Sequence, residues 1–208
     1  MAEVSRITVS KAEALSEMTE LAQEARMNNQ LPVDDTLRTA RLVLMPVAAA
    51  DAEEMAANFA DERLYQFTGG EPGTVESLRH TLNQLAESRA AGTAAQLNWV
   101  IRRLVDGVAI GMLQAVLSRG DQAAEVAWLV GVPWQDQGFA SQAAIAVVAW
   151  SEARGVEQVT AWIRPDHHAS ESVAIRAGLL VRDKTRTTPK HDHIERLWRS
   201  QRRESPSP

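Results

Sequence analysis

The sequence predicts an α/β fold of the α+β kind, in which helices flank a mixed, mostly antiparallel central sheet. Three strand patterns, Leu97–Arg103, Val108–Leu117 and Ala123–Val130, are separated by VDG and SRGDQ, which are hairpin signals. A helix pattern over Gly138–Arg154 and the alternating strand pattern EQVTAWI follow them. Because a strand, a helix and a strand in succession imply a crossover, at least one pair of strands should be parallel.

Capping residues and apolar spacing predict the remaining elements. RLVLMP is a strand pattern, Asp51 with Glu54 opens a short helix, and Thr74 can cap a longer one. The apolar face of that longer helix consists of Val75, Leu78, Leu82 and Leu85. A short helix over Ala169–Ala177 and the strand patterns LLVRD and HDHIERLWR complete the order.

The chain divides into one domain with an extension at each end. Ser10–Met27 has a capping box and a helical apolar stripe, and NNQLPVDDT after it has the composition of a linker. We therefore expect a helical extension and linker over residues 1–36, the main domain over 37–200, and a disordered tail over 201–208.

Composition excludes several classes of protein. The chain has 208 residues, a net charge of −5 and no cysteine, so disulfides, thiolate metal sites and a cysteine nucleophile are excluded. The acidic balance argues against nucleic acid as a partner. No run approaches the ~18 apolar residues of a membrane span, and the first residues lack a signal-peptide core. A soluble, cytoplasmic protein is expected, and the sequence leaves a homodimer open.

The segment WQDQGFASQAA, residues 134–144, places one glycine at the start of a helix of small residues. Unpaired amides and the helix dipole make such a helix start an anion site without any lysine. The segment is neither a P-loop, which needs a Gly-Lys pair, nor a three-glycine dinucleotide loop. The alternative is a helix that merely begins with glycine.

The order of elements, the strand AEVAWLV, this loop and HHASESVAIRAGLL together resemble the GNAT acetyltransferase superfamily, in particular its RimJ/RimL-type branch. The family loop, Q/R-x-x-G-x-G/A, is matched at Gln135, Gly138 and Ala140. The resemblance implies that acetyl-CoA is the co-substrate and that the amides of this loop bind its pyrophosphate. The donor-binding residues implied there are Gln135, Gln137, Gly138, Phe139, Ala140 and Ser141. The resemblance also places Trp128, Leu129 and Val130 along the pantetheine arm, with the amide of Leu129 or Val130 polarising the thioester carbonyl.

The resemblance further implies direct attack of a primary amine on the thioester. Glu125 matches the position of the family's base, acting through water; its alternative role is a salt bridge on an open strand face. The tyrosine acid of many family members is replaced by Ala174. Ser170 is either the proton donor to the sulfur or the N-cap of its helix, and His167 replaces an asparagine that contacts CoA.

The acceptor is the part of the function on which the sequence is silent. The loop over Asp61–Gly73 should help to form its pocket, and the acceptor is either a protein N-terminus or a small-molecule amine. Trp99, Trp128 and Trp134 can shape that pocket or simply pack in the core. His191 and His193 make a metal pair without an evident third ligand, so no metal site is predicted. A non-catalytic CoA-binding or regulatory module is the alternative to an enzyme.

Overall fold

A computed structural model describes residues 36–91, 96–118, 122–187 and 193–201. These residues form one eight-stranded sheet and four helices. The strands are β1 (Leu37–Arg38), β2 (Leu42–Pro46), β3 (Gln96–Arg103), β4 (Ala109–Ser118), β5 (Ala123–Val130), β6 (Gln158–Ile163), β7 (Leu179–Thr187) and β8 (Ile194–Ser200). The helices are α1 (Ala52–Asn58), α2 (Val75–Ala90), α3 (Phe139–Ala153) and α4 (His168–Arg176).

The sheet order is β1-β2-β3-β4-β5-β6-β8-β7. β5 and β6 pair in parallel, and every other pair of neighbouring strands is antiparallel. The predicted mixed sheet and its one crossover are therefore confirmed. β1 was not predicted; it forms a tight hairpin with β2, in which Leu37 lies opposite Leu44.

The helices cover the sheet from both faces. α3 and α4 pack on one face, where Trp99 and Trp150 meet edge to face with ring centroids 5.3 Å apart. α1 and α2 pack on the other face, over the half of the sheet that contains β2, β3 and β4. Alternate residues of β5 point to the two faces of the sheet. Val126 and Val130 pack in the core beneath α3 and α4, and Leu129 packs against the core beneath α1 and α2.

The side-chain cap predicted for α2 is present. The hydroxyl of Thr74 accepts a hydrogen bond from the amide of Ser77 at 3.1 Å, so the predicted cap of α2 is confirmed. On the predicted apolar face of that helix Leu78, Leu82 and Leu85 pack in the core, whereas Val75, its first residue, is 37% exposed. Asp51 and Glu54 do stand at the start of α1, and both carboxylates bind Arg102 of β3.

Several predictions fall outside the described residues. They concern the helix Ser10–Met27 with its linker, the tail after residue 201, most of the SRGDQ turn, and His191 with Asp192. No helix in the described ranges is both long enough and apolar enough to cross a bilayer.

Candidate functional site

The segment between β5 and α3 turns the backbone toward the start of the helix. It contains a short 3-10 turn, Val132–Trp134, followed by Asp136 and Gly138, whose φ angles are 59° and 76°. Gly138 is the N-cap of α3, and no side chain caps this helix. Amides in the first turn of a helix lack intrahelical acceptors and carry the positive end of the dipole. The first turn of α3 therefore offers donors to an anion, namely the amides of Phe139, Ala140 and Ser141.

Two glutamines of the predicted donor-binding set shape this loop from within. Nε2 of Gln135 donates to the carbonyl of Val130 at 3.0 Å, and Nε2 of Gln137 donates to the carbonyl of Pro133 at 3.1 Å. The backbone amide of Gln135 is also engaged, since it donates to the carbonyl of Val132 at 3.3 Å. The two side chains hold the turn in place, and the helix amides remain as the donors.

Two residues outside the loop fix it, and neither was predicted from the sequence. Nη2 of Arg41 donates to the carbonyl of Gln137 at 2.9 Å, and its guanidinium lies 4.5 Å from the ring centroid of Phe139. Oδ1 of Asn58, the last residue of α1, accepts from Nε1 of Trp134 at 2.9 Å. No local pattern could reveal these contacts, because their partners are 96 and 76 positions apart.

β5 and β6 separate after three residue pairs. The paired stretch runs from Ala123 opposite Gln158 to Glu125 opposite Thr160, and β5 then continues to Val130 with no partner among the described residues on that side. β6 meanwhile pairs with β8 along its other edge. A wedge-shaped opening therefore lies between β5 and β6, and it widens toward the loop before α3.

The strand register shows which backbone groups of β5 face this opening. The amide of Gly131 donates to the carbonyl of Ile110, and Leu129 lies opposite Met112. Because these bonds alternate along an antiparallel pair, the N–H and C=O of Leu129 point toward β4. Those of Trp128 and Val130 point into the opening. Of the two amides predicted as alternatives for the thioester, that of Val130 points into the opening and that of Leu129 points toward β4.

Glu125 lies at the apex of the opening, and its carboxylate is held by an arginine. Its two oxygens lie 3.3 and 3.4 Å from Nη2 and Nη1 of Arg186 on β7. Nε of the same arginine donates to Glu195 at 2.8 Å. The salt bridge that the sequence left open as an alternative is therefore present, at a carboxylate that is still 37% exposed.

His167 and Ser170 lie together at the start of α4. The N-cap residue of α4 is His167 and Ser170 is the third residue of the helix, so the N-cap role considered for Ser170 is wrong. The hydroxyl of Ser170 lies 3.4 Å from Nε2 of His167. Burial is the largest influence on the imidazole and lowers the pKa of His167 below its ordinary value, which favours the neutral ring.

The predicted acceptor loop reaches the same place from the other side of the sheet. Phe67 stacks on the ring of His167 with centroids 4.0 Å apart and planes 12° apart. The guanidinium of Arg164 lies 5.5 Å from the Phe67 centroid. Tyr65, the one tyrosine of the chain, is buried, and its hydroxyl donates to the carbonyl of Phe59. It therefore supports the loop from inside.

Comparison with known proteins agrees with this architecture. The model of the Acetyltransferase (GNAT) domain family matches residues 41–180. The chain belongs to the GNAT acetyltransferase family. It is accordingly an acyltransferase, as the resemblance implied, and acetyl-CoA is the co-substrate of this family. The comparison with curated proteins gave no match.

Solved structures with the GNAT fold resemble the chain along most of its length. A ribosomal-protein-S5-alanine acetyltransferase from Vibrio fischeri is 16% identical, with a TM-score of 0.71, and the match covers 82% of this chain and 98% of that one. RimL, a ribosomal L7/L12 alpha-N-protein acetyltransferase in complex with coenzyme A, is 16% identical with a TM-score of 0.70, covering 79% and 97%. MccE, a microcin C7 self-immunity acetyltransferase in complex with acetyl-CoA and AMP, is 12% identical with a TM-score of 0.69, covering 85% and 98%. These likenesses support the GNAT fold.

The start of α3 in this GNAT domain suits a polyphosphate. A Cβ added to Gly138 would meet no closer atom than Nη2 of Arg41, at 3.6 Å, so the space in front of the helix is open. Nη1 of Arg176, from α4, lies 3.5 Å from the hydroxyl of Ser141. Two guanidiniums therefore flank the uncapped amides, and the residues present fit the diphosphate of acetyl-CoA.

The tryptophans of the GNAT domain have different roles. Trp99 is fully buried, so its alternative role in the acceptor pocket is wrong. Trp128 and Trp134 are partly buried against the core beside α3. Trp162 lies on the opposite face of β6 from Ala161, where the guanidinium of Arg186 covers its ring at 4.5 Å. The alternation of buried and partly buried residues along β6 separates its two faces in this way.

Proposed function

We propose that this protein transfers an acetyl group from acetyl-CoA to a primary amine by direct attack. The observation that carries the proposal is the uncapped start of α3, with Gly138 in the left-handed conformation, at the wide end of the opening between β5 and β6. This arrangement offers an anion site and an exposed strand edge in one continuous cleft. The net charge of −5 supports a partner other than nucleic acid. We propose a cytoplasmic location on the composition alone.

The donor is bound in two sections. The diphosphate is held by the first amides of α3 and by the guanidiniums of Arg41 and Arg176, which transfer no proton and take no part in the reaction. The pantetheine arm lies along β5, where Trp128 and Val130 direct backbone groups into the opening. The amide of Val130 then donates to the thioester carbonyl oxygen and stabilises the charge that develops there.

The acceptor must lose a proton before it attacks. Lysine-like amines titrate near 10.4 and α-amines near 7.7–8.0, so at neutral pH a base raises the fraction of free amine. Glu125, at the apex of the opening, takes that proton through water. The nitrogen then forms a bond to the carbonyl carbon and loses its second proton to solvent, the carbon–sulfur bond breaks, and the sulfur leaves as a thiolate. Ser170 donates a proton to the thiolate and regains one from solvent through the neighbouring His167.

Two classes of acceptor fit this cleft. RimL and the ribosomal-protein-S5-alanine enzyme act, by their names, on proteins, whereas MccE confers self-immunity to a microcin. We propose a primary amine of either class, a protein N-terminus or a small molecule. In both cases Phe67, stacked on His167, borders the space that the acceptor enters.

An acceptor screen tests the proposal. The full chain is incubated with acetyl-CoA and a panel of peptides with free N-termini, the same peptides acetylated at the N-terminus, and small mono- and diamines, and free CoA is followed. Release of CoA with a free amine, and none with the blocked peptides, is the expected result. CoA binding without release for any amine would favour the non-catalytic CoA-binding module, which the missing tyrosine at Ala174 makes the second candidate. Loss of both binding and release would refute the donor site itself.

A further inference from the structure

The side chain of Arg186 occupies a cage made of two carboxylates and an indole. Its Nε donates to Glu195 at 2.8 Å, and its two terminal nitrogens lie 3.3 and 3.4 Å from the carboxylate of Glu125. The guanidinium carbon lies 4.5 Å from the ring centroid of Trp162. A cation held between carboxylates and over an indole face is stabilised by charge-assisted hydrogen bonds and by a cation–π contact.

The cage lies on the open part of the sheet, beside the opening between β5 and β6. Helices α1 and α2 cover the neighbouring strands on this face, and their core ends at Leu129 of β5. Ala127, on the same face and in the middle of the central strand β5, is exposed. Glu125 is the last residue of β5 that pairs with β6. The cage therefore borders the place where the acceptor must approach the thioester.

The charges around the cage favour a cation. Asp166 is already paired with Arg164 at 2.6 Å, and that arginine also interacts electrostatically with Glu195. Once Arg186 leaves, Glu125 and Glu195 face one indole ring, and Arg164 is a cation that interacts with Glu195. An ammonium or guanidinium group of an acceptor would restore the balance that Arg186 provides.

We propose that this cage is the subsite for a cationic group of the acceptor, and that Arg186 is its internal stand-in. The proposal rests on the acetyl transfer proposed above and narrows the acceptor to molecules that present an ammonium or a guanidinium. Binding of the acceptor displaces the Arg186 side chain, which is 41% exposed and belongs to the edge strand β7.

The displacement predicts a measurable competition. If Arg186 fills the cage in about nine molecules of ten, it lowers the apparent affinity of any other cation about tenfold, because a ligand binds only the fraction of molecules that is competent. Removal of the guanidinium should therefore tighten the binding of a cationic probe by about that factor. A residue that merely braced the strands would produce no such gain.

The test is calorimetric titration of the full chain with agmatine, which carries a guanidinium and a primary amine. Arg186→Gln should bind agmatine at least about tenfold more tightly than the wild type. Arg196→Gln is the matched control, since it removes the same charge from an exposed position of the adjacent strand β8, and it should bind as the wild type does. Unchanged or weaker binding to Arg186→Gln, or an equal gain in the control, would overturn the proposal.

A second variant tests whether the increase in agmatine affinity arises at the cage. Trp162→Leu, added to Arg186→Gln, should return the agmatine affinity to the wild-type value or below; retention of the gain would place the probe elsewhere and would refute the cage. Release of CoA is recorded separately. A chain that binds agmatine as predicted but releases no CoA with any amine contradicts the acetyl transfer alone. A chain that releases CoA but shows no gain contradicts the cage alone.

Discussion

Replacement of Gly138 by aspartate or asparagine separates the shape of the donor loop from its charge. Gly138 has a φ of 76°, and among residues with a side chain, asparagine and aspartate tolerate this region best. The added Cβ would lie in ordinary contact with Arg41, at 3.6 Å from Nη2. Both variants should therefore fold. They place side chains of nearly equal size before the same amides, and one of the two is charged.

The expected difference in affinity follows from the position of the new carboxylate. A carboxylate about 4 Å from a bound phosphate weakens the binding free energy through repulsion, by about 1 kcal/mol at the dielectric constant of water and by about 4 kcal/mol at that typical of a protein surface. Pairing with Arg41, whose Nη2 is within reach, should keep the cost in the lower half of that range. We expect Gly138→Asp to bind acetyl-CoA about 5- to 30-fold more weakly than Gly138→Asn, or about 1–2 kcal/mol.

Calorimetry with two donors supplies the assay. Acetyl-CoA reports on the diphosphate, and acetyl-pantetheine, which lacks it, reports on the rest of the cleft. The difference between the variants should appear with acetyl-CoA, shrink at high salt, and vanish with acetyl-pantetheine. Equal affinity of the two variants for acetyl-CoA, or an equal loss with both donors, would refute the assignment of the phosphate site.

Other predictions concern the base, the imidazole and the strand pair. Glu125→Gln should lower kcat by about 10²- to 10⁴-fold, with the greatest deficit at low pH, as measured in pH–rate profiles. Because the pKa of His167 is lowered in the folded chain, the neutral imidazole contributes to the free energy of unfolding fully above about pH 6.5, and this contribution is lost as the pH falls further. The Tm of the wild type should therefore drop more than that of His167→Gln between pH 7 and pH 5. Gly111→Ala places a Cβ too close to the carbonyl oxygen of Leu129 and should lower the free energy of unfolding by about 1–3 kcal/mol. Each kcal/mol should lower the Tm by about 2–4 °C.

Each of these predictions has a result that contradicts it. A pH–rate profile of Glu125→Gln parallel to that of the wild type would remove the carboxylate from proton transfer. Parallel Tm curves for His167→Gln and the wild type would mean that the imidazole titrates as it does in the unfolded chain. For the strand pair, Gly73→Ala is the control, because its Cβ would meet one hydroxyl, of Ser77, at 3.2 Å. Equal Tm values for the two alanine variants would contradict the close approach of β4 and β5.

Local signals in the sequence predicted those parts of the molecule that local physics determines. The period-2 patterns predicted β3, β4 and β5, and the glycine before small residues predicted the start of α3. Of the two roles left open for Ser170, that of N-cap is wrong because α4 begins at His168 and Ser170 lies in its first turn. The two contacts that Arg186 makes with Glu125 join residues 61 positions apart, so no spacing rule could anticipate them.

The two sides of the proposed cleft are held by different contacts, and the donor side needs no lysine. In the proposed site the phosphates of acetyl-CoA do not react, so we expect the amides of α3 and the flanking guanidiniums to suffice without a charge that stabilises phosphoryl transfer. That side is held by hydrogen bonds within the loop and by Arg41 and Asn58, which belong to the elements nearest to it. The acceptor side is instead bordered by an exposed ion pair and a stacked ring, Arg186 with Glu125 and Phe67 with His167. An ion pair as exposed as that of Arg186 and Glu125 can exchange partners at a cost of about 1 kcal/mol. Substitutions that change the acceptor should therefore fall on β7 and the Asp61–Gly73 loop and leave the affinity for acetyl-CoA unchanged.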